Sequence, residues 1–234
     1  MRLEATRTEA FARQSVGASP QSGNSFEGYV DGTLAPASTR GRKRLARIME
    51  AATDLFLRDG YFATSIEAVL EASGGSKATL YSYFSTKEEL FRAVVEEAIR
   101  TMSPPRLERL GDAKTTLTEY VVNTFETLSA PRHRALLRLT IAERERFPDL
   151  ARQYYEHGPM HGRRALVELF KELERDRVLR AGTATDVADL FIGSLIHSWL
   201  VEALFLGDDR IPSNGEIREK AERIVERFLA SASS

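Results

Sequence analysis

Residues Thr64–Phe84 read T-S-I-E-A-V-L-E-A-S-G-G-S-K-A-T-L-Y-S-Y-F, two short apolar-periodic segments joined by Ser-Gly-Gly-Ser, and this spacing predicts a helix-turn-helix. Thr64 stands three residues before Glu67, the pattern of a capping box in which each side chain satisfies a backbone N–H at the helix start. Ile66, Val69 and Leu70 follow at i, i+3 and i+4, so the first segment has one apolar face. Gly74 stands where a helix end takes a residue tolerant of positive φ, and Ser76 is a competent N-cap for the second segment. Leu80 and Phe84, four apart, anchor that segment and leave Lys77, Thr79, Tyr81, Ser82 and Tyr83 on its flanks and free face. Those side chains form hydrogen bonds and seek phosphate rather than fill a core.

A two-helix unit buries too little surface to stand alone, so its neighbours must support it. Ile48, Ala51, Ala52, Leu55 and Phe56 recur at helical spacing until Gly60, which predicts a supporting first helix. Downstream, Thr86 and Glu89 form a second capping box, and Leu90, Phe91, Val94, Val95 and Ala98 continue as an apolar stripe towards Pro104 and Pro105. Ahead of the first helix, Arg40, Arg42, Lys43, Arg44 and Arg47 run without an intervening acid. Such a run is expected as an arm that follows phosphates or enters a minor groove, or else as a plain solvated basic stretch.

Residues Ile48–Val95, carrying A-A-T-D-L-F, G-Y-F-A-T-S-I, S-K-A-T-L-Y-S-Y-F and K-E-E-L-F, resemble the DNA-binding domain of the TetR family of transcriptional regulators. The resemblance implies an all-α protein: a three-helix helix-turn-helix domain followed by a helical ligand-binding and dimerisation domain. It further implies a homodimer that binds a palindromic operator in double-stranded DNA and answers to a small-molecule effector, most simply as a repressor released by an inducer. Lys77, Thr79, Tyr81, Ser82 and Tyr83 are then the groove-facing set. Lys77 suits a guanine edge or a phosphate, Thr79 a thymine methyl or base edge, and the tyrosines phosphate and ring contact. Specificity is expected from Thr79 and Lys77. Thr64 and Lys87, at helix N-termini, and Arg42 and Arg44, in the basic run, are expected to position the protein on phosphates. Gly75 and Ala78 depart from the family pattern, which usually has a small apolar residue and a glycine there. The stretch I-A-E-R-E-R-F-P-D-L-A-R-Q-Y-Y-E-H-G-P resembles the C-terminal domains of AcrR-like members.

The whole chain agrees with this. Its 234 residues are 42% hydrophobic, carry a net charge of −1 and include no cysteine, so neither a disulfide framework nor a thiolate metal site is expected, and a cytoplasmic setting is. The first residues lack a continuous apolar segment of the secretory kind. Leu190–Leu206 is apolar but short for a membrane span and holds His197 and Glu202, so a buried helix is expected and membrane association is not. Three regions follow: 1–39, a flexible extension rich in Gly, Ser, Thr, Ala and Pro; 40–102, the DNA-binding domain; and 103–234, the ligand-binding and dimerisation domain. In the last, helical patterns cover 117–128, 131–145, 151–157, 163–177, 186–206 and 216–230. The 186–206 helix is apolar nearly all round, more than one neighbour covers, so it and the last helix are expected to form a dimer bundle.

Phe125, Leu136, Leu139, Tyr154, Phe170, Phe191 and Trp199 are the candidates to line an apolar or amphipathic effector cavity, with plain core packing as the competing fate of each. His133 is expected at the surface and His197 in the core. His157 and His161 have metal-ligand spacing, but Gly158 and Pro159 interrupt any helix between them and no third ligand is evident, so no metal or cofactor is expected. No phosphate-cradling glycine loop or nucleophile elbow is present, so enzymatic activity has no support. Two alternatives stay open: a helical small-hydrophobe-binding protein of the same fold without DNA binding, and an interaction module whose basic arm meets protein or membrane.

Overall fold

The computed structural model describes residues 38–232 except 104, 106, 181, 198–199 and 207–212. Residues 1–37 of the expected extension, and the candidate Trp199, lie outside the described residues. Among the described residues every regular element is a helix: α1 (Thr39–Ala63), α2 (Ile66–Ser73), α3 (Lys77–Tyr83), α4 (Lys87–Arg100), α5 (Ala113–Ser129), α6 (Pro131–Ala142), α7 (Pro148–His157), α8 (Pro159–Arg175), α9 (Ala184–His197), α10 (Leu200–Leu206) and α11 (Asn214–Ala232). None of these is long and apolar enough to cross a membrane.

The first helix begins earlier than its apolar stripe suggests. Ser38 caps it, its Oγ accepting from Gly41 N at 3.1 Å, and the Arg, Lys, Leu and Ala that follow favour helix. The basic run is therefore not an arm ahead of α1 but its first two turns. Gly60, at φ 83° and ψ 176°, breaks the helix where expected and turns the chain towards α2. Helices α6, α7 and α8 each start on a proline, Pro131, Pro148 and Pro159, whose fixed φ suits a first helical residue. That is why α7 and α8 begin three and four residues before the apolar periodicity becomes visible.

Two cores hold the molecule. One joins Ile48, Phe56, Val69, Leu80, Phe84, Leu90, Phe91 and Val94 of α1–α4 to Leu136 and Leu139 of α6 and to Phe147, Leu150 and Tyr154 at α7. The other packs α5, α8, α9 and α11, with Phe170 and Phe191 buried and the half-buried Phe228 against them, ring centroids 4.6–5.8 Å apart. The helix-turn-helix unit is thus no free-standing head, since α6 and α7 complete its core.

The α2–α3 turn closes through Gly74, at φ 62° and ψ 26°, and a bond from Gly75 N to Leu70 O of 3.2 Å. Gly75 itself needs no left-handed backbone. A Cβ placed there would touch Ile48 at 3.6 and 3.7 Å and the Ser73 hydroxyl at 3.1 Å. Gly75→Ala is therefore expected to stabilise the protein by about 0.4–1 kcal/mol, by limiting the unfolded chain and restoring contact with Ile48. Denaturant midpoints of Gly75→Ala, alone and with Ser73→Ala to clear the short approach, test this; a loss in both backgrounds refutes it.

Candidate nucleic-acid interface and effector cavity

Helix α3 is held by Leu80 and Phe84, both fully buried, and its other faces are open. Lys77, Tyr81 and Ser82 are exposed, whereas Thr79 and Tyr83 are half-buried, Tyr83 against the helix-turn-helix core. Ser76 caps the helix: its Oγ accepts from Thr79 N at 3.2 Å and shares a hydrogen bond with the Thr79 hydroxyl at 2.8 Å. In this state the Thr79 hydroxyl is engaged. Ser82 donates to Thr79 O at 2.7 Å, and Lys77 Nζ reaches Glu67 Oε1 of α2 at 3.2 Å. The Glu67 carboxyl is held below its ordinary range by its own backbone N–H and then by Lys77. A groove contact by Lys77 has to exchange this exposed pair.

The capping box expected at Thr64 is displaced by one residue. Ser65 is the cap, its Oγ accepting from Ala68 N at 3.0 Å, while Thr64 is 2% exposed and donates its hydroxyl to Gly60 O at 2.9 Å. The reason is the Gly60 break, which leaves a carbonyl facing inward that the Thr64 hydroxyl satisfies. Thr64 therefore presents no free hydroxyl at the surface, and the exposed group at this helix start is Ser65.

At α4, Thr86 Oγ1 accepts from Glu89 N at 3.0 Å and the Glu89 carboxylate accepts from Ser85 N at 2.7 Å. Lys87 Nζ lies 4.5 Å from the Tyr61 ring centroid and donates to Phe62 O at 3.4 Å. Burial, and then Arg146, hold its ammonium below the usual lysine range. The Lys77–Glu67 contact ties the start of α3 to the start of α2, and the Lys87–Phe62 contact ties the start of α4 to the end of α1. Arg42 and Arg44 lie on the first turns of α1, Arg42 donating to Thr39 Oγ1 at 3.4 Å, and Arg40, Lys43, Arg44 and Arg47 share one shallow depression.

A second candidate site lies among the helices that follow α4. A cavity of about 140 Å³ is walled by Tyr120, Thr124, Phe125 and Leu128 of α5, His133 and Leu137 of α6, Tyr154 of α7, Gly162 and Arg163 of α8, Ile192 and Leu195 of α9, and by Met102 and Leu200. Of the seven candidates, Phe125 and Tyr154 line it. Leu136 and Leu139 face the DNA-binding core, and Phe170 and Phe191 pack on Phe228.

His133, expected at the surface, sits in the wall with Nε2 3.0 Å from the Tyr154 hydroxyl. Burial lowers its pKa and pushes the Tyr154 and Tyr120 phenols up to about 12, so all three groups are neutral near pH 7. The apolar pattern around His133 gave no signal of this, because its partner lies 21 residues away on another helix. A Cβ on Gly162 would come within 3.1 Å of the Tyr120 hydroxyl, so the missing side chain makes room for it. Arg163 is closed by a two-point pair with Asp189, at 2.6 and 2.9 Å. The wall is therefore apolar with a neutral polar end. Among the described residues no group of three or more potential metal ligands occurs.

The lowered pKa of His133 has a pH signature. The unfolded chain takes up this proton near the ordinary histidine value of about 6.5, which the folded state resists until lower pH. Below pH about 6.5 the unfolded state binds more protons and stability falls. Wild type is expected to lose more stability than His133→Gln between pH 7 and 5 in urea denaturation; parallel curves refute the burial argument.

Comparison with known proteins follows the same division. The profile described as "Bacterial regulatory proteins, tetR family" matches residues 48–94, and that described as "AefR-like transcriptional repressor, C-terminal domain" matches residues 115–231. The HTH-type transcriptional regulator YvkB of Bacillus subtilis is 26% identical over 163 residues, 69% of this chain and 84% of YvkB. A TetR-family regulator from Mesorhizobium loti superimposes with a TM-score of 0.65 at 29% identity, covering 83% of this chain and 98% of that one. The Flavonoid-responsive Regulator FrrA does so with a TM-score of 0.60 at 30% identity, covering 81% and 96%. With an exposed α3 on a buried anchor, a cavity among the helices that follow it and matches to both halves, this chain belongs to the TetR family of ligand-responsive helix-turn-helix transcriptional regulators.

Proposed function

We propose that this protein is a cytoplasmic repressor that binds a palindromic operator as a homodimer, through α3 in the major groove, and is released when a small neutral effector enters the cavity. The observation that carries the reading is α3 itself, with Leu80 and Phe84 buried and Lys77, Tyr81 and Ser82 open. A helical hydrophobe-binding protein without DNA binding has no use for that polar face. On this reading Lys77, Thr79, Tyr81, Ser82 and Tyr83 meet the groove, and Ser65, Lys87, Arg42 and Arg44 meet phosphates. Dimerisation uses α9, α10 and α11, where Leu190 and Phe205 are 74% and 83% exposed and Val201 lies open beside them. A two-fold pair then reads half-sites about 34–36 Å apart, and operator symmetry follows protein symmetry.

Two substitutions separate base reading from positioning. Thr79→Ala is expected to change the ranking of half-site sequences selected from a random duplex pool. Lys87→Ala is expected to weaken all duplexes alike and to flatten the dependence of log K on log[salt] by about 0.9 per protomer. If both variants shift the ranking, or neither does, the assignment of roles fails.

The cavity supports an effector with an aromatic or aliphatic body and one uncharged hydrogen-bonding group. Its volume is of the order that holds a benzene-sized body, and its polar end is the His133–Tyr154 pair. The flavonoid response named for FrrA is consistent with a phenolic ligand. Calorimetric titration with simple phenols is expected to show binding that Tyr154→Phe weakens about 2- to 10-fold, the value of one net hydrogen bond, while affinity for the matching hydrocarbons is unchanged. Equal losses for phenols and hydrocarbons refute the polar-end assignment.

A further inference from the structure

The turn between α6 and α7 carries a cation to the edge of the helix-turn-helix. The Arg146 guanidinium lies 4.7 Å from the Tyr61 ring centroid, 5.5 Å from Phe62 and 5.6 Å from Phe147, and its side chain is exposed. Lys87 Nζ lies 4.5 Å from the same Tyr61 ring. Two cations thus share one aromatic ring, that of Tyr61, four residues ahead of Ser65, the cap of α2. Of the acids around them, Glu88 reaches Arg146 only at 3.9 Å, and Glu143 acts on Lys87 from the same turn. Arg92, which covers the neighbouring Phe147 ring, is by contrast engaged by both Asp149 and Glu88. A guanidinium stacked on an aromatic ring keeps its in-plane N–H donors free, and its fork matches two phosphate oxygens.

We propose that Arg146 contacts the DNA phosphate backbone beside Lys87, so that the effector-binding domain supplies a cation directly to the DNA interface. The inference rests on the reading of α3 as the recognition helix and of Lys87 as a phosphate contact. A phosphate between Arg146 and Lys87 offsets the repulsion that the shared ring imposes on them. The same turn continues into Phe147, Leu150 and Tyr154, so the contact sits on the hairpin that also walls the cavity.

The test uses the full-length protein and a mixed-sequence duplex titrated across KCl concentrations by fluorescence anisotropy. Each phosphate contact contributes about 0.9 to the slope of log K against log[salt]. Arg146→Ala is expected to reduce the slope by about 1.8 per dimer, Arg146→Lys to keep it, and Arg144→Ala, on the neighbouring arginine paired with Glu145, to leave it unchanged. A wild-type slope in Arg146→Ala overturns the proposal, even if affinity or thermal stability falls, because loss of the aromatic packing alone removes no counterion release. If Lys87→Ala lowers the slope while Arg146→Ala does not, the DNA-binding reading stands and this one fails. If wild type itself binds no duplex at low salt, both fall.

Discussion

The contact on which the rest of the molecule depends is the aromatic joint of Tyr61, Phe91 and Phe147. Tyr61 follows the break in α1, Phe91 lies on α4 and Phe147 caps α7, with ring centroids 4.7–5.3 Å apart; Phe56 meets Phe91 edge-on at 5.0 Å. Each ring is buried, so the joint combines transfer energy with edge-to-face geometry. It fixes the exit of α1, the body of α4 and the α6–α7 hairpin against one another. The exposed side of α3 is presented at a defined angle only because α1 and α4, which flank it, are held in this way.

Much of the helix-turn-helix was legible because its determinants are local. Apolar spacing at Ile66, Val69, Leu80 and Phe84, the positive φ at Gly74 and the cap at Ser76 need nothing beyond a few neighbouring residues, and all were found as expected. The misplaced cap shows where locality fails. Thr64 and Ser65 are both competent caps, and the choice between them is made by the Gly60 carbonyl, whose direction depends on a backbone break that sequence places but does not orient. The basic run hides its helix for a related reason: no apolar stripe marks it, and it rests on the Ser38 cap and on propensity.

The cavity was far less legible. Phe125 and Tyr154 line it, yet Phe170 and Phe191 have the same composition and helical setting and are simply core. What distinguishes them is which helix faces which, a property of contacts distant in the chain. His133 illustrates this: its lowered pKa arises from burial, in a wall shared with α5, α7 and α8, none of which its own helix pattern encodes. At residue 102 the sequence proposes a domain boundary. The chain does change character there, but α6 and α7 return across it to complete the first core, so two regions of sequence build interlocked rather than separate bodies.

That interlock constrains how an effector can act. A ligand alters DNA affinity only by the difference between its own binding free energies to the competent and incompetent arrangements. The cavity wall at His133, Leu137 and Tyr154 belongs to the same two helices whose other faces, through Leu136, Leu139, Phe147 and Leu150, fill the DNA-binding core. A close-packed interior does not absorb volume by compression. An occupant larger than the existing space therefore has two outlets: displacing side chains such as Met102 and Leu200 at the edge of the cavity, or moving the α6–α7 hairpin as a body. The hairpin and Met102 both pack on the DNA-binding core, whereas Leu200 packs on the second, so on the proposed reading a ligand couples to α1 and α4 where it presses on Met102 or on the Tyr154 side.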